Sequence, residues 1–214
     1  ALTQYKKAYA LLKKEHKESH PKVVEVMTRM ARLFEELGDL NEALRLTATI
    51  LKIQKNELGE EHLKIAELLN QTGSLYRKLK KVDKALVAFQ AALNIRKKLL
   101  GNEHIDVGTS MNNLGSLVQA MGDPFSARQL YESALKIFKR HLGEDHPQLI
   151  TLQNNLAILL GGLGDRLGAK ELLRSSMLIE EGVAYDLIDV LPQPLKLDFT
   201  DNMETTANIF FSLL

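Results

Sequence analysis

Between residues 105 and 146, apolar or small residues at Met111, Leu114, Gly115 and Val118 recur with the 3.6-residue period of a helix that buries one face. Met121-Gly122-Asp123-Pro124 breaks the pattern, and Ala127, Tyr131, Ala134 and Ile137 resume it on a second helix. The spacing predicts helix, tight turn, helix. The same unit returns along the chain. His20, His62, His104 and His146 stand 42 residues apart, as do Gly59, Gly101 and Gly143, and Ala1, Ala43, Ala85, Ala127 and Ala169. Three residue types do not align at one period by chance, so an internal repeat is the primary reading.

The period divides the chain into 21–62, 63–104, 105–146 and 147–188 as four repeats. Gly38, Gly122 and Gly164 end the first helices, where a left-handed residue is cheapest in glycine. The second repeat has Lys80 and Lys81 there, which predicts a looser or differently capped turn. Small residues pair across each hairpin (Ala31/Ala43, Gly73/Ala85, Gly115/Ala127 and Ala157/Ala169), as close helix approach requires. Pro21 and Pro147 are expected at the first position of a new helix, where a missing N–H costs nothing.

Residues 1–20 match a second helix without its partner: Ala1, Tyr5 and Ala8 stand in register with Ala127, Tyr131 and Ala134. This predicts either an excerpt of a longer protein, the favoured reading, or a terminal cap. After Glu181 the pattern fails. Pro192 and Pro194 interrupt any helix, so 189–214 is expected to be an extended segment followed by a capping helix over 202–214, with Asp201 and Glu204 as a capping box.

Composition narrows the function. A formal net charge of +1 gives no bulk field toward nucleic acid or membrane, and no partner of either kind is expected. The absence of cysteine removes disulfides and thiol nucleophiles and fits a cytoplasmic setting. The longest apolar run, Leu156 to Leu163, is far short of the roughly 20 residues that span a bilayer. The four periodic histidines sit in different repeats, too far apart to share one metal ion. His16 and His20 lack the adjacent glutamate of a zinc-protease helix, and Gly161, Gly162 and Gly164 end an apolar helix instead of following a strand. No cofactor, metal or catalytic set is expected. Lys13, Lys55, Lys97 and Lys139 form a row near second-helix ends, favourable with the helix dipole; the alternative is a stripe for acidic surfaces.

The small–large–aromatic spacing resembles the tetratricopeptide repeat family. The 42-residue period, the LGEDHP linker and the Asn pairs in SMNNLGSL (110–117) and LQNNLAIL (152–159) are similar to the kinesin light chain type, with LLNQTGSL (68–75) as a weaker third copy. The resemblance covers about residues 1–182. It implies an all-α, right-handed superhelical solenoid of antiparallel helix hairpins, with a concave groove lined by first helices. In that register the groove residues are Arg29 and Arg32; Asn70, Gln71, Ser74, Arg77 and Lys78; Asn112, Asn113, Ser116 and Gln119; and Asn154 and Asn155. A carboxamide donates and accepts, so repeated Asn can hold an extended main chain, while Arg and Lys favour acidic side chains. The implied function is a non-catalytic adaptor binding a protein or peptide with a short, acidic linear motif that carries an aromatic anchor. The alternatives are a structural self-assembly module that stacks arrays end to end through its terminal helices, and a regulatory subunit of a separate enzyme; weak self-association through the terminal helices is the one further partner expected. Leu197, Asp198, Phe199 and Asp201 themselves place acids around an aromatic, which suggests an intramolecular pseudo-ligand.

Overall fold

The computed structural model describes the backbone of residues 2–187 and side chains as far as Glu180. The expected extended segment, the capping box at Asp201 and Glu204, and the pseudo-ligand residues Leu197, Asp198, Phe199 and Asp201 lie outside the described residues. Those described form an all-α chain of nine helices in two compact units, Ala1–Asn102 and Glu103–Leu214.

The first unit holds α1 (Leu2–Glu15), α2 (Pro21–Glu36), α3 (Leu40–Leu58), α4 (Leu63–Lys78) and α5 (Val82–Leu100). Each helix packs on the next in sequence, so α2–α3 and α4–α5 are hairpins and α1 lies on α2. Its core is built from the periodic apolar positions, with Val23, Met27, Ala43, Leu46, Ile50, Leu68 and Leu75 almost wholly buried. The second unit holds α6 (Ile105–Ala120), α7 (Pro124–Leu142), α8 (Gln148–Gly162) and α9 (Arg166–Leu187). There α6–α7 and α8–α9 are hairpins, and the first helices α6 and α8 also touch. The helical backbone continues past Glu181 to Leu187, six residues beyond the point where the apolar pattern stops.

The periodic histidines are helix caps. The Nδ1 atoms of His20, His62, His104 and His146 accept from the backbone N–H groups of Lys22, Lys64, Asp106 and Gln148, at 3.1–3.3 Å. Each satisfies a donor that the first turn leaves without an intrahelical partner. Pro21 occupies the start of α2 as expected, but Pro147 sits one residue ahead of α8, as its N-cap. His146 still reaches over it to Gln148 N–H.

The small residues of the first helices are explained by a particular neighbour. A Cβ added at Gly73 meets the Phe89 ring at 2.7 Å, and one at Gly115 meets the Tyr131 ring at 2.9 Å. In the hairpins that have Ala31 and Ala157 instead, the ring position is filled by Thr47 and Leu173. Glycine therefore appears where the second helix lays an aromatic ring across the first, and alanine where it does not.

Turn chemistry follows the same columns, with one exception. Asp39 and Asp123 cap α3 and α7 through the N–H groups of Glu42 and Ser126, and Asp165 accepts from Gly168 N–H at the start of α9. The preceding residues Gly38, Gly122 and Gly164 have φ of 80°, 86° and 87°. The hairpin α4–α5 has Lys80 at φ 57°, the only non-glycine with positive φ among the described residues, and Lys81 makes no side-chain cap. The turn is differently capped, as the sequence predicts, and a side chain in this region is costly.

Candidate functional site

In the first unit, the candidate residues lie on α2 and α4. Arg29, Arg32, Arg77 and Lys78 are exposed, Gln71 and Ser74 half-buried, and Asn70 only 8% exposed. Arg32 and Gln71 meet at a small cleft of about 100 Å3, also lined by Thr28 and Glu35. Thr28, Arg32 and Glu35 follow one another at four and three residues on α2, so helical spacing from Arg32 points to its two neighbours. Neither Thr28 nor Glu35 is among the groove residues that the family resemblance implies.

The charges on this face fall into two groups. Arg29 is held by Glu25 at 2.8 Å, which keeps its guanidinium above even its ordinary range, and Lys78 by Glu35 at 2.8 Å. Arg32 and Arg77 enter no ion pair among the described residues. A guanidinium offers planar, fork-shaped donors suited to a carboxylate. The cleft thus supplies one guanidinium, from Arg32, and an amide at Gln71, beside a Glu35 carboxylate already engaged by Lys78.

In the second unit, Asn112, Asn113, Ser116 and Gln119 lie on α6, and Asn154 and Asn155 on α8; all six are half-buried. Asn155 Nδ2 donates to Asn112 Oδ1 at 3.1 Å, joining the two first helices. Gln119 accepts from the Tyr131 hydroxyl at 3.0 Å, within the α6–α7 hairpin. Some of these carboxamides therefore hold the repeats to one another.

The lysine row is engaged with the linkers. Lys13, Lys55 and Lys139 reach Glu18, Glu60 and Glu144, each five residues on, at 3.0–3.2 Å. The Lys13 ammonium, hydrogen-bonded to Glu18, holds that carboxyl below its usual range. At the corresponding linker position Lys97 faces Asn102 in sequence, so the pairing has no acid there. No group of three or more His, Asp or Glu with metal-binding geometry occurs among the described residues, and no helix there is long and apolar enough to cross a membrane.

Helix hairpins repeated in tandem, with polar first-helix faces, define an all-α helical-repeat protein of the solenoid class. The tetratricopeptide repeat model matches residues 37–98, 64–140 and 106–177, and the chain belongs to that family, whose repeats generally mediate protein–protein interaction without catalysis. No curated protein matches it. Among solved structures, BtubC (BKLC) from P. vanneervenii is similar over 99% of this chain and 84% of its own, at 21% identity and a TM-score of 0.73. The nearly identical TPR-like repeats assigned to a kinesin light chain of Podosopora anserina are similar over 85% and 86% of the two chains, at 25% identity and TM-score 0.69. MamA is similar over 86% and 89%, at 20% identity and TM-score 0.58. The Podosopora anserina likeness agrees with the kinesin light chain-like character of the repeat, and the other two with its fold.

Proposed function

We propose that the chain is an adaptor that grips a short acidic peptide along its first helices. The observation that carries this reading is the pair of exposed guanidinium groups, Arg32 on α2 and Arg77 on α4, which no carboxylate of the described residues neutralises. A partner's Asp or Glu would gain charge-assisted hydrogen bonds there, while the adjacent Gln71 amide pairs with main chain. The Asn-bearing helices α6 and α8 offer main-chain contacts in their own unit. The kinesin light chain resemblance favours an aromatic anchor beside the acids.

The test is fluorescence anisotropy with fluorescein-labelled acidic-aromatic peptides, comparing the native chain with Arg32→Ala/Arg77→Ala. Binding in the range of about 1–100 μM that weakens at least about tenfold in the variant, with circular dichroism unchanged, supports the adaptor reading. Equal binding by both proteins, or none by either, removes it.

A further inference from the structure

The second repeat departs from its register mates on another face, and in a concerted way. Where it has Thr72, the other repeats have Met30, Leu114 and Leu156. Where it has Ala88, they have Leu46, Leu130 and Leu172. Two large aliphatic side chains are missing from neighbouring places on α4 and α5. The consequence is a hollow of about 730 Å3 bounded by α3, α4 and α5, with Thr72 and Ala88 in its lining.

At the surface the exchange runs the other way. Val87 is 70% exposed and also lines the hollow, yet its register mates are Arg45, Gln129 and Glu171. The repeat has given up apolar volume inside and added apolar surface outside. Both changes cost the free protein burial and dispersion energy, and both are recovered if apolar groups enter from a partner.

We infer that this hollow is a docking site for an amphipathic helix of a partner protein, which supplies Leu- or Met-sized side chains where the second repeat lacks its own. The lining along α5 recurs at Lys84, Ala88, Ala91 and Ile95, one stripe about 17 Å long. A helix of three to four turns laid lengthwise matches that stripe, with anchors at i, i+4 and i+7 or i+8. Charge fixes its polarity. One end of the stripe carries Lys84, its ammonium 5.9 Å from the Tyr76 ring centre, beside exposed Lys80 and Lys81 and the single acid Asp83. At the other end, Lys55 and Lys98 are already paired with Glu60 and Glu61. An acidic first turn of the partner helix, itself favoured by the helix dipole, belongs at the Lys84 end. This surface uses α3, α4 and α5 residues distinct from Arg32 and Arg77, and stands whether or not the first-helix site binds a peptide.

The experiment uses the full chain and a displayed library of 16-residue helices. Their apolar stripe is varied among Leu, Met, Ile, Phe and Ala, and their first turn among Glu, Lys and Ala. Selection on the native chain is counter-screened against Thr72→Leu/Ala88→Leu, which installs residues that other repeats carry in the same columns. The expected winners have Leu or Met anchors and an acidic first turn. As fluorescein-labelled peptides they lose at least about tenfold in affinity for the filled variant, whose thermal midpoint is equal or higher. Lys84→Glu weakens the acidic winners and favours Lys-bearing twins, and Arg32→Ala/Arg77→Ala leaves them unchanged. If no helix prefers the native chain to the filled variant, the proposal is wrong. It is equally wrong if only a small apolar dye binds and is expelled by filling, because the hollow then takes a free small molecule.

Discussion

The triplet α3–α4–α5 of the first unit and the triplet α7–α8–α9 of the second are drawn from the same repeat, yet they spend their interior differently. In the second unit, Leu156 is 3% exposed and Leu160 buried, while Leu172 is half-buried in the column of Ala88. Gln153, fully buried, donates to Ser175 Oγ and accepts from the Ser176 hydroxyl at 3.0 and 2.9 Å. Every large position is occupied, and the buried amide is satisfied on both its groups. In the first unit the columns of Gln153, Leu156 and Leu172 hold Leu69, Thr72 and Ala88, and a hollow remains. The backbone architecture is common to both, so the fold tolerates the exchange and the difference marks the second repeat as the place where packing has been relaxed. Its turn is relaxed as well, with Lys80 in place of glycine and no side-chain cap at Lys81. Local departures that coincide in one hairpin are the pattern expected of a working surface.

The comparison is broken most severely by exchanging residues within a column. Leu156→Ala removes a buried side chain from a filled triplet and should cost about 2–5 kcal/mol, as cavity-forming substitutions do. Thr72→Leu, in the same column of the first unit, should leave stability unchanged or raise it by up to about 1–2 kcal/mol, since it fills space already empty. Urea titration of the two variants reads both signs. If Thr72→Leu costs as much as Leu156→Ala gives up, the hollow is no real deficit and the contrast between triplets fails.

A second column tests the fit between helices within one hairpin. Gly73→Ala drives a Cβ against the Phe89 ring at 2.7 Å, and overpacking of this kind costs about 1–3 kcal/mol before the helix propensity gained by alanine offsets part of it. Adding Phe89→Leu recreates the Ala157/Leu173 pairing of the second unit and should recover much of the loss. The double-mutant cycle should therefore show a coupling of at least about 0.5 kcal/mol. Additive effects would mean that glycine at position 73 answers to something other than the ring.

The helices, hairpin turns and repeat period were legible from residue spacing alone, because each hairpin repeats one burial problem and a 42-residue period displays its answer four times. The departure at Lys80 and Lys81 was visible for the same reason. Other features depend on which side chain crosses to which helix. Gly73 and Gly115 read as small residues for close approach, but only the packing shows that Phe89 and Tyr131 are what approaches. The histidines marked the period, while their capping role needed Nδ1 and the following amide to be placed together. The hollow was hidden because Thr72 and Ala88 are unremarkable singly. It emerges only when both columns are compared and α3, α4 and α5 are brought to one place. Among the candidate groove residues, the register of the family resemblance led to Arg32 and Gln71, which line one cleft, while the pairing of Asn155 with Asn112 needed both side chains to be placed.

The turn of the second repeat offers a smaller effect. Lys80→Gly places at φ 57° the residue that Gly38, Gly122 and Gly164 supply in the other turns, and should stabilise the chain by about 1 kcal/mol. A higher urea midpoint with an unchanged slope is the expected reading. No gain would show that the Lys80 conformation carries little strain and that this turn is not the weak one.

The last contrast concerns acid. Asp123 caps α7, and its hydrogen bonds from Ser126, first the side chain and then the backbone N–H, hold its carboxyl below the usual range; the matching position before α5 is Lys81, which makes no such cap. A depressed folded-state pKa means that the cap's contribution is complete above the ordinary aspartate range and disappears as pH falls through the lower folded value. Asp123→Asn keeps an oxygen acceptor for the Ser126 N–H but has nothing to titrate. Thermal midpoints measured from neutral pH down to about 2 should therefore fall less steeply for Asp123→Asn than for the native chain, while Lys81→Asp should steepen the fall by giving α5 the titrating cap it lacks. Parallel acid limbs for all three proteins would show that the caps of α5 and α7 do not differ in what they contribute, leaving the missing side chains at Thr72 and Ala88 as the difference that sets the second repeat apart.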